Sequence, residues 1–348
     1  MTQRRVLITG AYGFVGSALA RACLERGDNV CVLRRSKHPT SALVLEGSEE
    51  RCAVLDGDVL GEGVLDEAIG KHGIDTVFHL AAQPIVAEAL RAPSQSFDVN
   101  VRGTWLLLEA CLRHGVARTV VASTFQAYGE PARLPIDEQL PLDPRQPYAL
   151  TKACADLIAL CWSHAYGLPV ATARFSNVYG GGDRNLSRLV PGAIAAALGG
   201  KRPVIRSDGS PQRDFFHVDD AVAAYLAIAD ALDEGPTDAC GEAFNAGSGS
   251  SRSVLEIVQL VCEAVGTGVE AEVPGSALPE GEVERQVIDY GKLHAATGWA
   301  PTIALEEGIA RTVQWYRHHP TAFRAADEAI LGPLRTSGRS QSASRLRG

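Results

Sequence analysis

Short apolar runs alternate with segments of helical periodicity through the first half of the chain. The apolar runs cover residues 5–9, 29–33, 53–58, 76–80, 118–123 and 169–175, and the helix-period segments between them cover residues 14–26, 63–71 and 96–114. Apolar runs without period-two alternation, separated by helices, are typical of parallel strands buried on both faces. The pattern therefore predicts an α/β fold built on a doubly wound parallel sheet with right-handed crossovers.

The pattern changes after residue 177, where a Gly-rich loop precedes further helices. The expected elements are helices at 187–199, 218–232, 252–265 and 303–318, and a strand at 242–247. We interpret these as a smaller substrate lobe interleaved with the end of the sheet domain. The predicted sheet domain is 1–176 plus about 214–247, and the lobe is about 177–213 and 248–320. The Arg- and Ser-rich tail, residues 333–348, contains no acid and is expected to be disordered.

Composition narrows the possible partners. The chain has 348 residues, 33 Lys and Arg against 41 Asp and Glu, and a net charge of −8. Bulk attraction to nucleic acid or to an anionic membrane is therefore not expected. We find no apolar run of the ~18 residues that span a bilayer and no cleavable leader pattern. The eight cysteines show no C-x-x-C pairing, which favours reduced thiols in the cytoplasm.

The first candidate site follows the opening strand directly. Residues 10–16 read GAYGFVG, with the spacing G-x-x-G-x-x-G. Glycines at this place permit a tight turn and let the backbone approach a pyrophosphate, which then rests on a helix N-terminus. A simple turn is the alternative, but the strand before and the helix after supply the expected context. The predicted dinucleotide contacts here are Gly10, Tyr12, Gly13, Phe14 and Val15.

The end of the second strand bears on the choice between NAD and NADP. An Asp or Glu is expected there when the ribose 2′-hydroxyl of NAD is recognised, but this chain has Arg34, Arg35 and Ser36. Guanidinium groups complement a 2′-phosphate, which favours NADP. Alternatively, the two arginines are solvated and stack on adenine without discriminating, so both cofactors stay open. Asp58 and Val59, after the third strand, are expected to meet the adenine edge.

The third candidate site is Tyr148 and Lys152, four residues apart on one helix face. A phenol with a pKa of ~10 is a poor base at neutral pH, and a nearby ammonium stabilises its phenolate. That arrangement suits removal of a proton from a sugar hydroxyl as hydride leaves the same carbon. Ser123 and Thr124, one strand and loop earlier, can supply a relaying hydroxyl.

Taken together, these residues resemble the extended short-chain dehydrogenase/reductase family, the nucleotide-sugar epimerases and dehydratases. The resemblance spans about residues 4–318 and rests on motifs in the expected order: GAYGFVG (10–16), HLAAQ (79–83), DVNVRGT (98–104), STFQAYG (123–129), YALTK (148–152), RFSNVYGGGD (174–183), QRDFFHVDD (212–220) and FNAGSG (244–249). It implies a Rossmann domain that binds NAD or NADP, a nucleotide-sugar substrate and a homodimer.

The resemblance also implies a role for each matching residue. Thr124 would assist catalysis, Tyr148 would be the base, and Lys152 would bind the nicotinamide ribose. Further cofactor contacts would be Leu80, Ala81, Ala82, Gln83 and Asn100. The substrate contacts would be Thr124, Phe125 and Gln126 at the sugar, Asn177, Arg213 and Arg285 at the phosphates, and Asn185, Leu189 and Val190 at the nucleoside. For each of these arginines, a surface salt bridge with Asp214 or Glu284 is the alternative. We expect His79 to be a packed strand-end residue, and no histidine spacing suggests a metal.

The reaction type depends on residues 125 and 126. The stretch 179–226 looks most like CDP-glucose 4,6-dehydratase-type members, which typically place Asp-Glu, Asp-Lys or Ser-Glu after the catalytic hydroxyl. Here Phe125 cannot transfer a proton, and the carboxamide of Gln126 has no useful pKa. Because such groups contribute ~10²–10⁴-fold, we expect 4-epimerisation first. An atypical 4,6-dehydratase is the alternative, followed by an NADPH-dependent 4-ketoreductase. A non-catalytic dinucleotide sensor on the same fold is a further alternative. It would be expected to lack the catalytic tyrosine or lysine, whereas this chain keeps both Tyr148 and Lys152.

Two apolar helix faces bear on assembly. They lie along residues 96–114 and 148–164, and by resemblance they would pair with their symmetry mates as a four-helix bundle in a homodimer. Alternatively, both faces only cover the sheet.

Overall fold

A computed structural model describes residues 3–233, 239–275 and 283–323. The main sheet has seven strands in the order β3-β2-β1-β4-β5-β6-β10, and every neighbouring pair is parallel. The strands are β1 (Arg5–Thr9), β2 (Asn29–Arg34), β3 (Ala53–Asp56), β4 (Thr76–His79), β5 (Arg118–Ala122), β6 (Val170–Phe175), β7 (Asn177–Tyr179), β8 (Gln212–Arg213), β9 (Phe215–His217), β10 (Ala243–Ala246) and β11 (Arg252–Ser253). The predicted tail, 333–348, lies outside the described residues.

Helices cover both faces of this sheet. They are α1 (Phe14–Glu25), α2 (Ala42–Leu45), α3 (Val64–His72), α4 (Val86–Arg91), α5 (Pro93–Phe97), α6 (Gly103–His114), α7 (Pro147–Tyr166), α8 (Leu189–Leu198), α9 (Val218–Ala231), α10 (Val254–Val265), α11 (Gly291–Thr297) and α12 (Leu305–His318). Helices α1 and α9 bury their apolar residues against one face, and α3, α6 and α7 against the other. The predicted α/β fold with a doubly wound parallel sheet is confirmed.

The structure corrects two expected elements of the sheet domain. The strand predicted at 53–58 ends at Asp56, and Gly57 then begins the turn to α3. The segment predicted as one helical run at 96–114 is helical throughout but not uniform: α5 ends at Phe97, one turn of π-helix covers Asp98–Arg102, and α6 begins at Gly103. The wider turn holds Asn100, whose buried side chain bonds outside the helix. Apolar periodicity alone does not report such a turn.

The lobe has a core of its own, formed between α8, α10 and α12. Two short sheets border it, antiparallel β8–β11 and parallel β7–β9. Helix α10 begins at Val254 rather than 252, because the Ser253 hydroxyl accepts from the Glu256 N–H and the Glu256 carboxylate accepts from the Ser253 N–H. This reciprocal capping box fixes the first turn of the helix.

The last helix also ties the lobe to the sheet domain. Trp315 of α12 donates its indole N–H to Glu46 Oε1 at 2.6 Å, next to the end of α2. The same ring covers the Gly-rich loop, because a Cβ at Gly181 would lie 2.3 Å from Trp315 Cγ. Trp315 therefore packs between the Gly-rich loop and the residue that follows α2.

Candidate active site

The glycine turn after β1 leaves no room for a side chain. Gly10 has φ +76°, and a Cβ there would lie 2.6 Å from the carbonyl carbon of Leu80. At Gly16 a Cβ would lie 2.2 Å from the Gly10 carbonyl oxygen. Gly13 precedes α1, whose first turn carries no acidic residue. A helix N-terminus with bare backbone around it fits the pyrophosphate of a dinucleotide, so the cradle is suited to the predicted cofactor.

The loop after β4 borders this cradle and is braced from the opposite side. Residues 80–83 follow β4, and Gln83 N donates to Asn100 Oδ1 at 2.6 Å. Asn100 Nδ2 donates to Thr151 Oγ1 at 2.9 Å and to the Gln83 carbonyl oxygen at 3.3 Å. The Asn100 carboxamide thus links the loop of residues 80–83 to α7. Asn100 can affect a bound cofactor indirectly, by fixing the position of this loop.

The end of β2 is less basic than its sequence indicates. Arg34 Nε and Nη2 donate to Asp56 at 2.6 and 2.9 Å, and Nη1 donates to Glu49 at 3.1 Å. Tyr12 also donates its hydroxyl to Glu49. The Arg34 guanidinium lowers the pKa of the Asp56 carboxyl. The carboxylates of Asp56 and Glu49 therefore already offset the positive charge of Arg34, which was one of the two arginines that favour NADP.

The neighbouring residues leave some positive charge at the same place. Arg35 and Ser36 are exposed, and the Ser36 hydroxyl lies 3.0 Å from His38 Nε2. Arg184 reaches in from the second lobe and donates to Thr40 Oγ1 at 3.0 Å. Burial, together with the charges of Arg184 and Arg35, lowers the pKa of His38.

The other predicted cofactor contacts lie partly in the core. Phe14 and Val15 pack, partly buried, against the apolar cluster on the first face of the sheet. Val59 is buried in the cluster on the second face. Asp58 accepts the N–H of Leu60 at 2.9 Å in its own turn. Any contact from Val59 to adenine would therefore involve little of its side chain.

The three predicted catalytic residues converge at the carboxyl edge of the sheet. Thr124 follows β5, and its hydroxyl is near enough to Tyr148 of α7 to affect the ionisation of the phenol. Burial raises the pKa of Tyr148, and the charge of Arg188 and the hydroxyl of Thr124 oppose that rise. One turn further on, burial lowers the pKa of Lys152 to about 8, against the opposing charge of Asp156. Lys152 is thus buried and Tyr148 is partly buried, one turn apart on α7.

A second cation, Arg188, was not predicted to act here. It lies at the start of α8 and pairs with Asp183 at 3.0 Å. The backbone of Asp183 is held in turn by the Tyr316 hydroxyl, which donates to its carbonyl oxygen. The positive charge of Arg188 lowers the pKa of Tyr148. The charge of Arg188 therefore favours the phenolate form of Tyr148.

The two residues after Thr124 form part of a short 3-10 turn, Phe125–Tyr128. The ring of Phe125 packs against a small apolar cluster that contains Tyr128 and Ile288. Gln126 donates its backbone N–H to Thr124 Oγ1 at 3.3 Å. Phe125 therefore contributes an apolar wall, and neither residue 125 nor residue 126 offers a group that titrates.

The predicted phosphate residues lie in a tightly bonded region of the lobe. Asn177 Nδ2 donates to Gln286 Oε1 at 2.8 Å and to the Asp214 carbonyl oxygen at 3.0 Å. Arg213 Nη1 donates to the Val283 carbonyl oxygen at 2.7 Å. Gln286, which is fully buried, was not predicted. It orients Asn177 from the strand-like segment that also carries Arg285.

Arg285 forms an isolated β-bridge with Gln212, the residue before Arg213. Its side chain is exposed, and its Nε lies 3.4 Å from Ser251 Oγ. It lines an open cavity of about 490 Å³ together with Leu134, Pro135, Gly249, Val287, Ile288, Asp289, Tyr290 and Gly291. Within the structure as described, the lining of this cavity does not include Tyr148.

The predicted nucleoside contacts surround the start of α8. Asn185 Oδ1 accepts both the N–H and the hydroxyl of Ser187, at 3.1 and 2.7 Å, in a local turn. Leu189 is partly buried, whereas the side chain of Val190 is buried in the lobe core. A ligand here would meet the backbone of residue 190 rather than its side chain.

His79 is a packed strand-end residue. Its ring lies between Thr9 Oγ1 at 2.7 Å and Thr104 Oγ1 at 3.1 Å, and burial lowers its pKa to about 3. Over residues 3–233, 239–275 and 283–323, the side chains form no cluster suited to a metal ion. In the same ranges, no helix has the length and apolar character needed to cross a bilayer.

This chain belongs to the NAD dependent epimerase/dehydratase family, whose model matches residues 6–247. It is an enzyme of that class, with the predicted Rossmann architecture and a nicotinamide dinucleotide as cofactor.

Relatives within the family carry out different reactions. A UDP-glucose 4-epimerase from Halalkalibacterium halodurans is 31% identical over 335 residues, which cover 91% of this chain and 97% of that protein. A dTDP-glucose 4,6-dehydratase from Streptomyces griseus is 34% identical over 321 residues, covering 90% and 94%. The crystal structure of the dTDP-glucose 4,6-dehydratase DesIV from Streptomyces venezuelae, with NAD bound, matches with a TM-score of 0.82 and 29% identity over 92% of this chain and 99% of that one. Similarity alone is therefore compatible with both 4-epimerisation and 4,6-dehydration, and only the residues of the site can discriminate between the two reactions.

Proposed function

We propose that this enzyme epimerises a nucleotide-linked hexose at C4. One arrangement carries the proposal: Tyr148 and Lys152 lie one turn apart on α7, and Thr124 lies near the phenol. Phe125, directly after Thr124, packs in a small apolar cluster. The first three can move a proton to and from a sugar hydroxyl. Phe125 provides no acid to expel a second oxygen from the sugar.

The residues of the chain would act on the C4 hydroxyl as follows. Tyr148 takes the hydroxyl proton as the C4–H bond breaks, and Lys152 and Arg188 stabilise the phenolate. Bound NAD supplies the acceptor for the hydride and its source on return. Rotation of the keto-sugar before the return presents the other face of C4, and Tyr148 gives the proton back. The sugar keeps all its atoms and changes only its configuration.

Dehydration at C5 and C6 is the second candidate, because relatives such as the Streptomyces griseus protein are named dehydratases. That reaction needs one group to remove the C5 proton and another to protonate the departing C6 oxygen. A phenyl ring and a carboxamide provide neither, which supports epimerisation over dehydration.

We assign the two ligands to the two parts of the chain. Residues 1–176 and about 214–247 would hold the cofactor, and about 177–213 and 248–320 the nucleotide sugar. Asn177 and Arg213 would bind its phosphates, and the start of α8 would meet the nucleoside. We further infer a cytoplasmic location, which is supported by the lack of a disulfide in the described part of the chain.

The test is a panel of UDP-, CDP-, GDP- and dTDP-hexoses incubated with the purified enzyme. Epimerisation predicts a product of unchanged mass with inverted configuration at C4 in its NMR spectrum. Tyr148→Phe should lower turnover by ~10²–10⁴-fold while cofactor binding persists. Tyr166→Phe, on the exposed end of the same helix, is the matched control and should keep full activity.

Two results would contradict this function. A product lighter by one water would identify a dehydratase. Full turnover by Tyr148→Phe would remove the assigned base.

A homodimer through α6 and α7 is our second proposal. Trp105 and Leu112 are 38% and 39% exposed on α6, seven residues apart, and Leu150 and Leu157 are 41% and 56% exposed on α7 with the same spacing. These two packed helices thus present one continuous apolar face, which fits a four-helix bundle between two copies.

Sedimentation velocity of Leu157→Lys tests this interface. We expect the variant to shift toward monomer. Val204→Lys, at a residue 60% exposed on the lobe, should not shift. A wild-type monomer, or equal behaviour of both variants, would contradict the proposed interface.

A further inference from the structure

Helix α7 carries a third ionisable residue behind the two predicted from the sequence. Tyr148, Lys152 and Asp156 follow one another at intervals of four residues, so they lie along one helix face. Lys152 is 4% exposed and Asp156 is 0% exposed. The proposed reaction makes no direct use of Asp156, which lies one turn beyond the ammonium.

Asp156 makes a two-pronged ion pair with Arg174 of β6. Arg174 Nε and Nη2 donate to its two carboxylate oxygens at 2.8 and 2.9 Å, and both side chains are buried. Removing two charges from water costs about what their attraction returns, so an apolar pair of equal volume is often as stable. Stability alone therefore does not account for this pair.

The pair continues into the turn that carries Thr124. Arg174 Nη1 donates to the Tyr128 hydroxyl oxygen at 3.0 Å, and the Arg174 guanidinium carbon lies 5.3 Å from the centre of the Tyr128 ring. Tyr128 donates onward to Asn245 Oδ1 of β10 at 2.8 Å. Tyr128 is the last residue of the 3-10 turn that Thr124 caps. An unbroken series of buried polar contacts thus joins the helix of the base to the turn of the hydroxyl.

The charges in this series also affect Lys152. Arg174 neutralises Asp156, and the negative charge of Asp156 favours the ammonium of Lys152 against its burial. Replacing Asp156 by a neutral residue would leave both buried cations, Lys152 and Arg174, without the anion that favours their charge.

We propose that Asp156 and Arg174 are positioning residues for the catalytic group. Asp156 keeps Lys152 protonated, and Arg174, through Tyr128, fixes Thr124 against Tyr148. The proposal rests on the proposed function, because it assigns the pair a role through Lys152 and Thr124.

The test compares Asp156→Asn with Asp156→Glu in the full-length enzyme. Asp156→Asn should move the limb of the pH–rate profile set by Lys152 by about one unit to lower pH, within the range that one nearby charge produces. With a pKa near 8 in the native protein, that shift lowers the protonated fraction of Lys152 at pH 8 from one half to about one tenth. Asp156→Glu retains the charge and should retain the native profile. A purely structural role would lower kcat equally at every pH.

Tyr128→Phe separately tests whether Tyr128 positions Thr124, and it leaves the ion pair between Asp156 and Arg174 in place. It therefore also provides a test if Asp156→Asn does not fold. It should lower kcat by about tenfold, leave the pH profile unchanged and leave the Kd for NAD within twofold. A native kcat in this variant would overturn the role of Tyr128, and a native profile in folded Asp156→Asn would overturn that of Asp156. The outcome of Tyr148→Phe separates these failures from failure of the proposed function, since an active Tyr148→Phe enzyme would remove the function itself.

Discussion

Replacing Gly10 by alanine tests the cofactor cradle most directly. The new Cβ would lie 2.6 Å from the Leu80 carbonyl carbon, whereas ordinary contacts begin at 3.4 Å, so the turn and the loop after β4 must separate by about 0.8 Å. An alanine at φ +76° costs ~1–2 kcal/mol, and the forced separation adds ~1–3 kcal/mol, as overpacking does. The entropy of unfolding is roughly 2.1 cal/mol/K per residue, so for 348 residues each kcal/mol of destabilisation lowers the Tm by about 1.4 °C. We therefore expect a loss of about 3–7 °C.

The matched control is Gly27→Ala. Gly27 has φ +85°, but no atom lies within 4 Å of the position that a Cβ would take there, so this variant carries the backbone strain without the collision. Its Tm should fall by only about 1–3 °C, from the same strain. Titration calorimetry with NAD should show at least a ~10-fold higher Kd for Gly10→Ala, because the helix N-terminus that receives the pyrophosphate has shifted, and a native Kd for Gly27→Ala. Equal Tm and Kd values for the two variants would refute the close approach of backbone at this turn.

Two further predictions concern charge. Arg188→Gln removes a cation that lowers the pKa of Tyr148, so kcat should fall by about tenfold near neutral pH and recover as the pH rises; a loss that is equal at all pH values would contradict the electrostatic role. His79 has a pKa of about 3 in the folded protein against 6.5 normally, so its stabilising contribution is complete above pH 6.5 and is lost as the pH falls. Between pH 7.5 and pH 5 this loss is about 2 kcal/mol. Urea unfolding at both pH values should show that the free energy of unfolding falls less for His79→Gln than for the wild type. Equal losses in the two proteins would refute this role of His79.

Local patterns predicted the sheet and the glycine cradle well. Each strand of the sheet is a run of four to six residues with few polar interruptions. Gly10 and Gly13 lie between β1 and α1, and Gly16 lies in the first turn of α1. These signals depend only on neighbours in the chain. The placement of Tyr148 and Lys152 on one helix face could be predicted for the same reason, since residues four apart lie on the same side of a helix.

Features that depend on tertiary contacts were not predicted. Arg188 acts on Tyr148 from a different lobe, and Gln286 meets Asn177 across 109 residues of sequence. Strands of two or three residues, such as β8 and β7, are too short to show a period. From the sequence, Arg34 favours a phosphate site. The sequence does not reveal that Asp56, on the neighbouring strand, already pairs with the Arg34 guanidinium.

The position of Trp315 has a consequence for engineering. Its indole needs the carboxylate of Glu46 as acceptor and a bare backbone at Gly181 beneath it, and these three residues come from three distant parts of the chain. A chimera that exchanged C-terminal segments between family members would have to transfer all three together. A graft of α12 alone would bring in an indole without its acceptor and without the space that Gly181 provides, and would weaken the contact between α12 and α2.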